Sequence, residues 1–208
     1  MDPLIPALIG IGGIVLGSIF TFLFQNILYK KQTVLKIAEK VMDKRIEAYD
    51  KIYVVVQKLR VMTHIGVREH VDPNERIIRK PFILSSYDIL SDFINEMTDI
   101  YSQYSQWYSI ALIRAYNYYQ DYISNCSRYY HDLGDDVEDF SISIKDDFIK
   151  LGVMFDEAIF QFYTKDCYRI GNSLDSGKWH KLPKEETEER MRNTKLYKLY
   201  INTEHNDA

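Results

Sequence analysis

Charge is what the opening of this chain lacks. No Asp, Glu, Lys or Arg occurs from Leu4 to Phe24, and the uncharged run continues to Tyr29 before Lys30 and Lys31 close it. Such a stretch has no polar face to turn toward water, which excludes an ordinary amphipathic surface helix. Cysteine is nearly missing too. Cys126 and Cys167 are the only two, neither in a CxxC, so a disulfide framework or a zinc ribbon has no basis. The helix-breaking residues are scarce, with 9 Gly and 5 Pro in 208 residues, and the intervals between them are long enough for helices of several turns.

The motifs of common chemistries are likewise missing. The chain holds no GxxxxGK[ST], no GxGxxG after a strand, no GxSxG and no HExxH. His64, His70, His131, His180 and His205 are scattered without metal-ligand spacing. The acidic connection at 135–139 lacks the spaced ligands and glycine of a calcium loop. Helical ribonucleases of the HEPN type resemble one another in an Arg-x₄₋₆-His motif, and Arg60 to His64 and Arg128 to His131 are too short for it. Asn125-Cys126-Ser127 matches a glycosylation sequon on a side expected to face the cytoplasm, where the match is chance. These absences lead us to expect no enzyme, no cofactor, no metal and no small-molecule substrate.

What is present starts with the apolar run. Its 21 residues at ~1.5 Å each would span the ~30 Å hydrocarbon core of a bilayer, and a helix satisfies its own backbone there. A cleaved signal peptide would need a basic start and a small-residue cleavage site; only Met1, Asp2 and Pro3 precede the run, and Gln25 to Tyr29 offer no such site. The sequence therefore predicts a transmembrane helix over 4–29.

Lys30, Lys31, Lys36 and Lys40 begin a stretch, 30–65, that carries nine basic against four acidic residues, whereas 82–208 carries 13 basic against 22 acidic. By the positive-inside rule the basic flank stays cytoplasmic and the N-terminus lies outside. The same lysines are expected at anionic lipid headgroups. The acidic remainder disfavours nucleic acid, whose affinity comes mainly from phosphate contacts. Within the run, Gly13 to Gly17 is a GxxxG flanked by Gly10 and Thr21, small residues that let two membrane helices approach.

Beyond the anchor the periodicity is helical throughout. Val34, Ile37, Ala38, Val41, Ala48, Tyr49, Ile52, Val55, Val56, Leu59 and Met62 form one stripe and predict a juxtamembrane amphipathic helix over 30–65, with Arg45 interrupting it as a coiled-coil seam. A connection follows at 66–85. The bundle proper, 86–171, reads as helices near 86–102, 107–133 and 143–170, the last two forming an antiparallel hairpin. Ser85 or Ser86 suits an N-cap, Ser143 to Asp146 resembles a capping box, and Gly66, Gly134 and Gly171 are natural stops. Residues 172–208 read as a polar tail with a short helix near 184–200. The stripe from Tyr101 to Tyr130, part of a total of 17 Tyr, is either core or a binding face.

Lys44-Arg45-Ile46-Glu47-Ala48-Tyr49-Asp50-Lys51-Ile52-Tyr53 resembles a KR-x-EAYxK-(I/L)-Y stretch found in bacterial single-pass proteins with one short anchor and a cytoplasmic helical domain, some of them among accessory or phage-defence genes. The resemblance covers residues 5–60 and carries no catalytic residue. It implies an all-α protein: an N-terminal transmembrane helix continuing into a cytoplasmic helical bundle. The expected function is an inner-membrane scaffold that self-associates or binds a protein partner. The alternative is a membrane-disrupting effector of a toxin or phage-defence (abortive infection) system, and a third reading, which the missing polar constellation weighs against, is an enzyme with an unrecognised helical site.

Overall fold

The computed structural model describes residues 4–65, 78–133, 137–166 and 184–201, and their side chains except at 4–12, 14, 15, 132, 166 and 184–186. The chain is all-α apart from one small pair of strands among these residues. It divides into two units, Met1–Lys44 and Arg45–Ala208. Helix α1 is assigned over Leu4–Val56, so its last residues belong to the second unit. Among the described residues, no helix is long and apolar enough to cross a membrane. Much of the uncharged run, residues 4–12, 14 and 15, falls outside the side chains described.

In the second unit, Ala48, Tyr49, Ile52, Val55 and Val56 of α1 are buried. Their three- and four-residue spacing places them on one helical face, which is why the β-branched run Ile52 to Val56 is helical despite its strand propensity. Helix α1 stops well short of the expected residue 65. A 3₁₀ turn, Gln57–Arg60, leads into β1 (Met62–His64), which pairs antiparallel with β2 (Arg79–Pro81) in the register Met62 to Pro81 and His64 to Arg79. Two bonds extend the ladder: Ile65 N donates to Ile78 O at 3.2 Å and Phe82 N to Val61 O at 2.7 Å.

Tertiary contacts account for the early stop. Leu59 is wholly buried, Arg60 Nη2 donates to Gly152 O at 3.0 Å, and Arg60 pairs with Asp156. Glycine at 152 lets the Arg60 side chain approach closely: a Cβ there would meet Arg60 Nε at 2.8 Å, so that side chain would have to shift. The stretch between α1 and α2, expected over 66–85, therefore begins earlier, directly after Val56. Its end is β2 and a 3₁₀ turn, Phe82–Leu84, with Ile83 and Leu84 buried. Gly66 and the residues up to 77 lie outside the described residues.

Helix α2 runs Tyr87–Tyr104, its N-cap being Ser86, whose Oγ accepts from Ile89 N at 3.2 Å. The chain breaks at a 3₁₀ turn, Ser105–Trp107. Helix α3, Ile110–Asp132, starts three residues later than expected because Ser109 caps it, accepting from Leu112 N at 3.3 Å. Helix α4 is Val137–Ser143 and α5 is Lys145–Gln161. Here the expected capping box is corrected. Ser143 closes α4, donating from Oγ to Phe140 O at 2.7 Å, and Ile144 precedes α5 without a side-chain cap. Helix α5 gives way to a π turn, Phe162–Asp166; Gly134 and Gly171 lie outside the described residues. Helix α6 is Lys184–Arg192, and a separate π turn occupies Tyr197–Ile201 where the sequence predicted one helix to residue 200.

The core of this unit lies between α3 and α5. Tyr119 meets Phe155 and Tyr122 meets Phe148 in edge-on ring contacts at 6.0 and 5.8 Å, so residue number rises along one helix as it falls along the other. The pair is antiparallel. Tyr49 of α1 stacks on Phe162 at 3.8 Å and meets Tyr108 edge-on at 5.7 Å. Each buried ring contributes about 1.5–3 kcal/mol by removal from water, and ring pairs about 0.5–1.5 kcal/mol beyond that. Aromatic side chains thus do most of the work of holding this unit together.

Candidate functional site

The candidate site is the first unit, whose described side chains run from Gly13 and then from Leu16 to Lys44. The relative exposures of Leu16, Phe20, Phe22 and Phe24 are 58%, 70%, 67% and 63%; Ile19, Leu23, Ile27, Leu28 and Tyr29 are exposed as well. At ~100° per residue these side chains occupy well over half of the helix circumference. The arc they leave contains Ser18, Thr21 and Gln25, whereas Gly17 falls between Phe24 and Leu28 at its edge.

Gly13 and Gly17 open onto free space: a Cβ built at either meets nothing within 4 Å. Thr21 is exposed on the same side, and its Oγ1 donates to Gly17 O at 2.8 Å, so its hydroxyl is satisfied within the helix. Thr33 repeats this arrangement toward Tyr29 O at 2.9 Å. Gly10 is helical, and its surroundings lie outside the described side chains. The helix thus brings Gly13, Gly17 and Thr21 to one side, as their four-residue spacing dictates.

Lys30, Lys31, Lys36 and Lys40 are all exposed. The helix does not gather them into one patch. At ~100° per residue they point at ~0°, ~100°, ~240° and ~280°, a belt around the axis. A belt suits a helix emerging from a charged surface on every side, whereas a helix lying flat on lipid needs its cations on one face.

The tyrosine stripe resolves into core. Tyr104, Tyr108, Tyr116, Tyr119, Tyr122, Tyr129 and Tyr130 are buried. Several of their hydroxyls find internal partners at the edge of the core: Tyr104 donates to Glu47 Oε1 at 3.1 Å, Tyr108 to Ala48 O at 3.4 Å and Tyr130 to Leu84 O at 3.2 Å, whereas Tyr119 Oη is buried with no hydrogen-bond partner. Tyr49 Oη accepts from Ser109 N at 2.8 Å, and Arg45 Nε donates to Trp107 O at 3.3 Å, so the end of α1 is fastened to the corner between α2 and α3. Arg45, which interrupts the apolar stripe in sequence, is buried with its guanidinium 4.8 Å from the Phe162 ring centroid. Cys126 is buried, and burial pushes its thiol far up, the Asp147 carboxylate adding to the effect; it is held as a neutral thiol. Among the described residues no group of His, Cys, Asp and Glu is placed to hold a metal ion.

One functional candidate escaped the sequence reasoning. Asp147, an acid in the first turn of α5, is buried in the helical unit. Its spacing resembles that of any helix-start carboxylate, so no sequence signal distinguishes it from its exposed neighbour Asp146.

No protein-family model matches this chain, and no curated protein or solved structure matches it either. The resemblance of residues 44–53 to bacterial single-pass proteins therefore rests on those residues alone.

Proposed function

We propose that the protein is a single-pass membrane scaffold: residues 4–29 anchor it in the inner membrane with the N-terminus outside, and the Arg45–Ala208 unit acts at the cytoplasmic face through self-association or a protein partner. The observation that carries this reading is the exposure of large apolar side chains around most of the helix from Leu16 to Tyr29. Contiguous apolar surface of this kind marks contact with another protein or a membrane. The uncharged sequence from Leu4 to Phe24 favours the membrane, because hydrocarbon is the environment in which apolar side chains on every side carry no penalty.

The lysine belt supports the orientation. Lys30 and Lys31 sit directly after the run, with Lys36 and Lys40 further out, where anionic headgroups attract each cation by about 1 kcal/mol. Gly13, Gly17 and Thr21 favour a second copy of the same helix, since an open backbone face is what close packing in lipid uses. The mechanism is localisation and clustering, with the core of the second unit serving to display its surface.

Fractionation with protease accessibility tests the reading. The intact chain is expected in carbonate-washed membranes, with its body resistant to protease added outside spheroplasts and digested once they are lysed. Recovery of the intact chain in the soluble fraction, or digestion of the body from outside, overturns it.

A further inference from the structure

The helical unit carries a cavity of about 410 Å³, open to solvent on one side, between α3, α5 and the chain that follows α6. That volume lies in the range of small-molecule sites, roughly 300–1,000 Å³. Leu151, Val153 and Met154 supply its apolar wall and Tyr118 and Tyr122 its aromatic one. Asp147 also lines it, and this residue is only 2% exposed.

The two carboxylate oxygens of Asp147 are treated differently. Oδ2 accepts from Tyr122 Oη at 3.2 Å and from Leu196 N at 3.0 Å. Oδ1 is buried with no hydrogen-bond partner. Lys150, Glu157 and Arg190 also line the cavity, and the ion pairs among the described residues do not include Asp147. An uncompensated buried carboxylate oxygen is costly, and such groups in folded proteins are normally completed by a donor. The half that is satisfied fixes the side chain in place, so the other half is preorganised.

We propose that this cavity is a binding site for a small organic cation, an amine or amidine on a flat apolar body, whose charged head completes Asp147 Oδ1. A cation supplies a charge-assisted bond where a neutral donor supplies a weaker one. The aromatic and aliphatic walls take the apolar body. Tyr118 Oη donates to Arg190 O at 3.3 Å, which ties the end of α6 to the cavity. Burial, reinforced by the nearby Asp147 carboxylate and opposed by Arg190, pushes the Tyr118 phenol up to about 12, so it stays a neutral donor. The site is independent of the anchor reading.

Calorimetric titration of the full chain in detergent micelles with benzamidine, against empty micelles and against the neutral isostere benzamide, tests the proposal. Saturable benzamidine binding is expected, at least tenfold tighter than benzamide. Asp147→Asn retains an acceptor for Leu196 N and Tyr122 but lacks the charge; it should weaken benzamidine at least tenfold and leave benzamide unchanged. Met154→Trp fills the cavity while leaving the Asp147 side chain unchanged and should abolish both. No saturable benzamidine binding to the native chain overturns the site, equal affinity for the two probes overturns the cation, and native-like binding to Met154→Trp overturns the cavity. If Asp147→Asn fails to fold by circular dichroism, the probe comparison and Met154→Trp decide.

Discussion

Replacing Gly13 and Gly17 together by Leu separates the packing role of the first helix from its folding. A Cβ at either position meets nothing within 4 Å, so the new side chains strain no contact within the chain. Helix propensity moves in their favour, by about 0.8–1 kcal/mol for each Gly replaced. The variant should therefore keep its helix content and the unfolding midpoint of its second unit. Association between copies should suffer instead. If the helices meet at these glycines, the inserted side chains hold the backbones apart and forfeit roughly twenty atom pairs of about 0.1–0.2 kcal/mol each. That is about 2–4 kcal/mol, or a thirtyfold or greater fall in the association constant. Cross-linking in native membranes over a range of expression levels, with sedimentation in detergent, reads this directly. Unchanged cross-linking at every level refutes the idea that this face joins two copies. Loss of helix content would refute the claim that the glycines are free of intrachain contacts.

Three further outcomes check other parts of the structure. Tyr49→Phe removes the acceptor for Ser109 N and keeps the ring, so denaturant unfolding should show a loss of about 1 kcal/mol; Tyr49→Leu also removes the stacking on Phe162 and the edge contact with Tyr108, for a loss of about 3 kcal/mol. Equal effects would mean that the stacking contributes nothing. Alkali should unfold the second unit: burial raises Tyr101, Tyr116 and Tyr130 above the ordinary 10.0, Tyr118 to about 12, and Cys126 above 9.0. The folded chain keeps these protons longer than the unfolded one, so stability is complete below about pH 9 and falls above it. Each group contributes a slope of about 1.4 kcal/mol per pH unit up to its folded value, and for Tyr118 the window is pH 10 to 12. Circular dichroism melts from pH 7 to 11.5 that do not shift would contradict this burial. Induced expression in a bacterial host should leave growth and membrane potential intact if the protein is a scaffold; depolarisation with growth arrest would favour the effector reading.

Local pattern made much of this architecture legible. The three- and four-residue spacing from Ala48 to Leu59, the cap at Ser86, and the break among Ser102 to Gln106 are near-neighbour effects, decided by backbone geometry within a turn or two. The candidate site was legible for the same reason: the four-residue spacing of Gly13, Gly17 and Thr21 needs nothing but a helix to bring them to one side. The belt of lysines follows from the same period, although the sequence reading treated it as a stretch and not as directions around an axis.

The early end of α1 has a non-local cause. The chain at Gln57 to His64 has helical periodicity and no Gly or Pro, so nothing local could stop α1 at Val56. Arg60 reaching the carbonyl of Gly152, 92 residues away in sequence, and the pairing of β1 with β2 are non-local events. Ser143 is a local miss: it matched a cap pattern, yet its hydroxyl serves Phe140, three residues back in the helix before.

By itself the sequence determined the class of the protein, all-α, and the placement of its charge: an uncharged opening, a basic stretch and an acidic remainder. Those follow from composition and from periods of a few residues. Tertiary structure decided that the tyrosines from Tyr104 to Tyr130 are largely core and that Asp147 lies buried with one oxygen unsatisfied beside a cavity. Burial depends on which distant segments meet, and an aspartate has the same local sequence signature whether water or a tyrosine hydroxyl surrounds it.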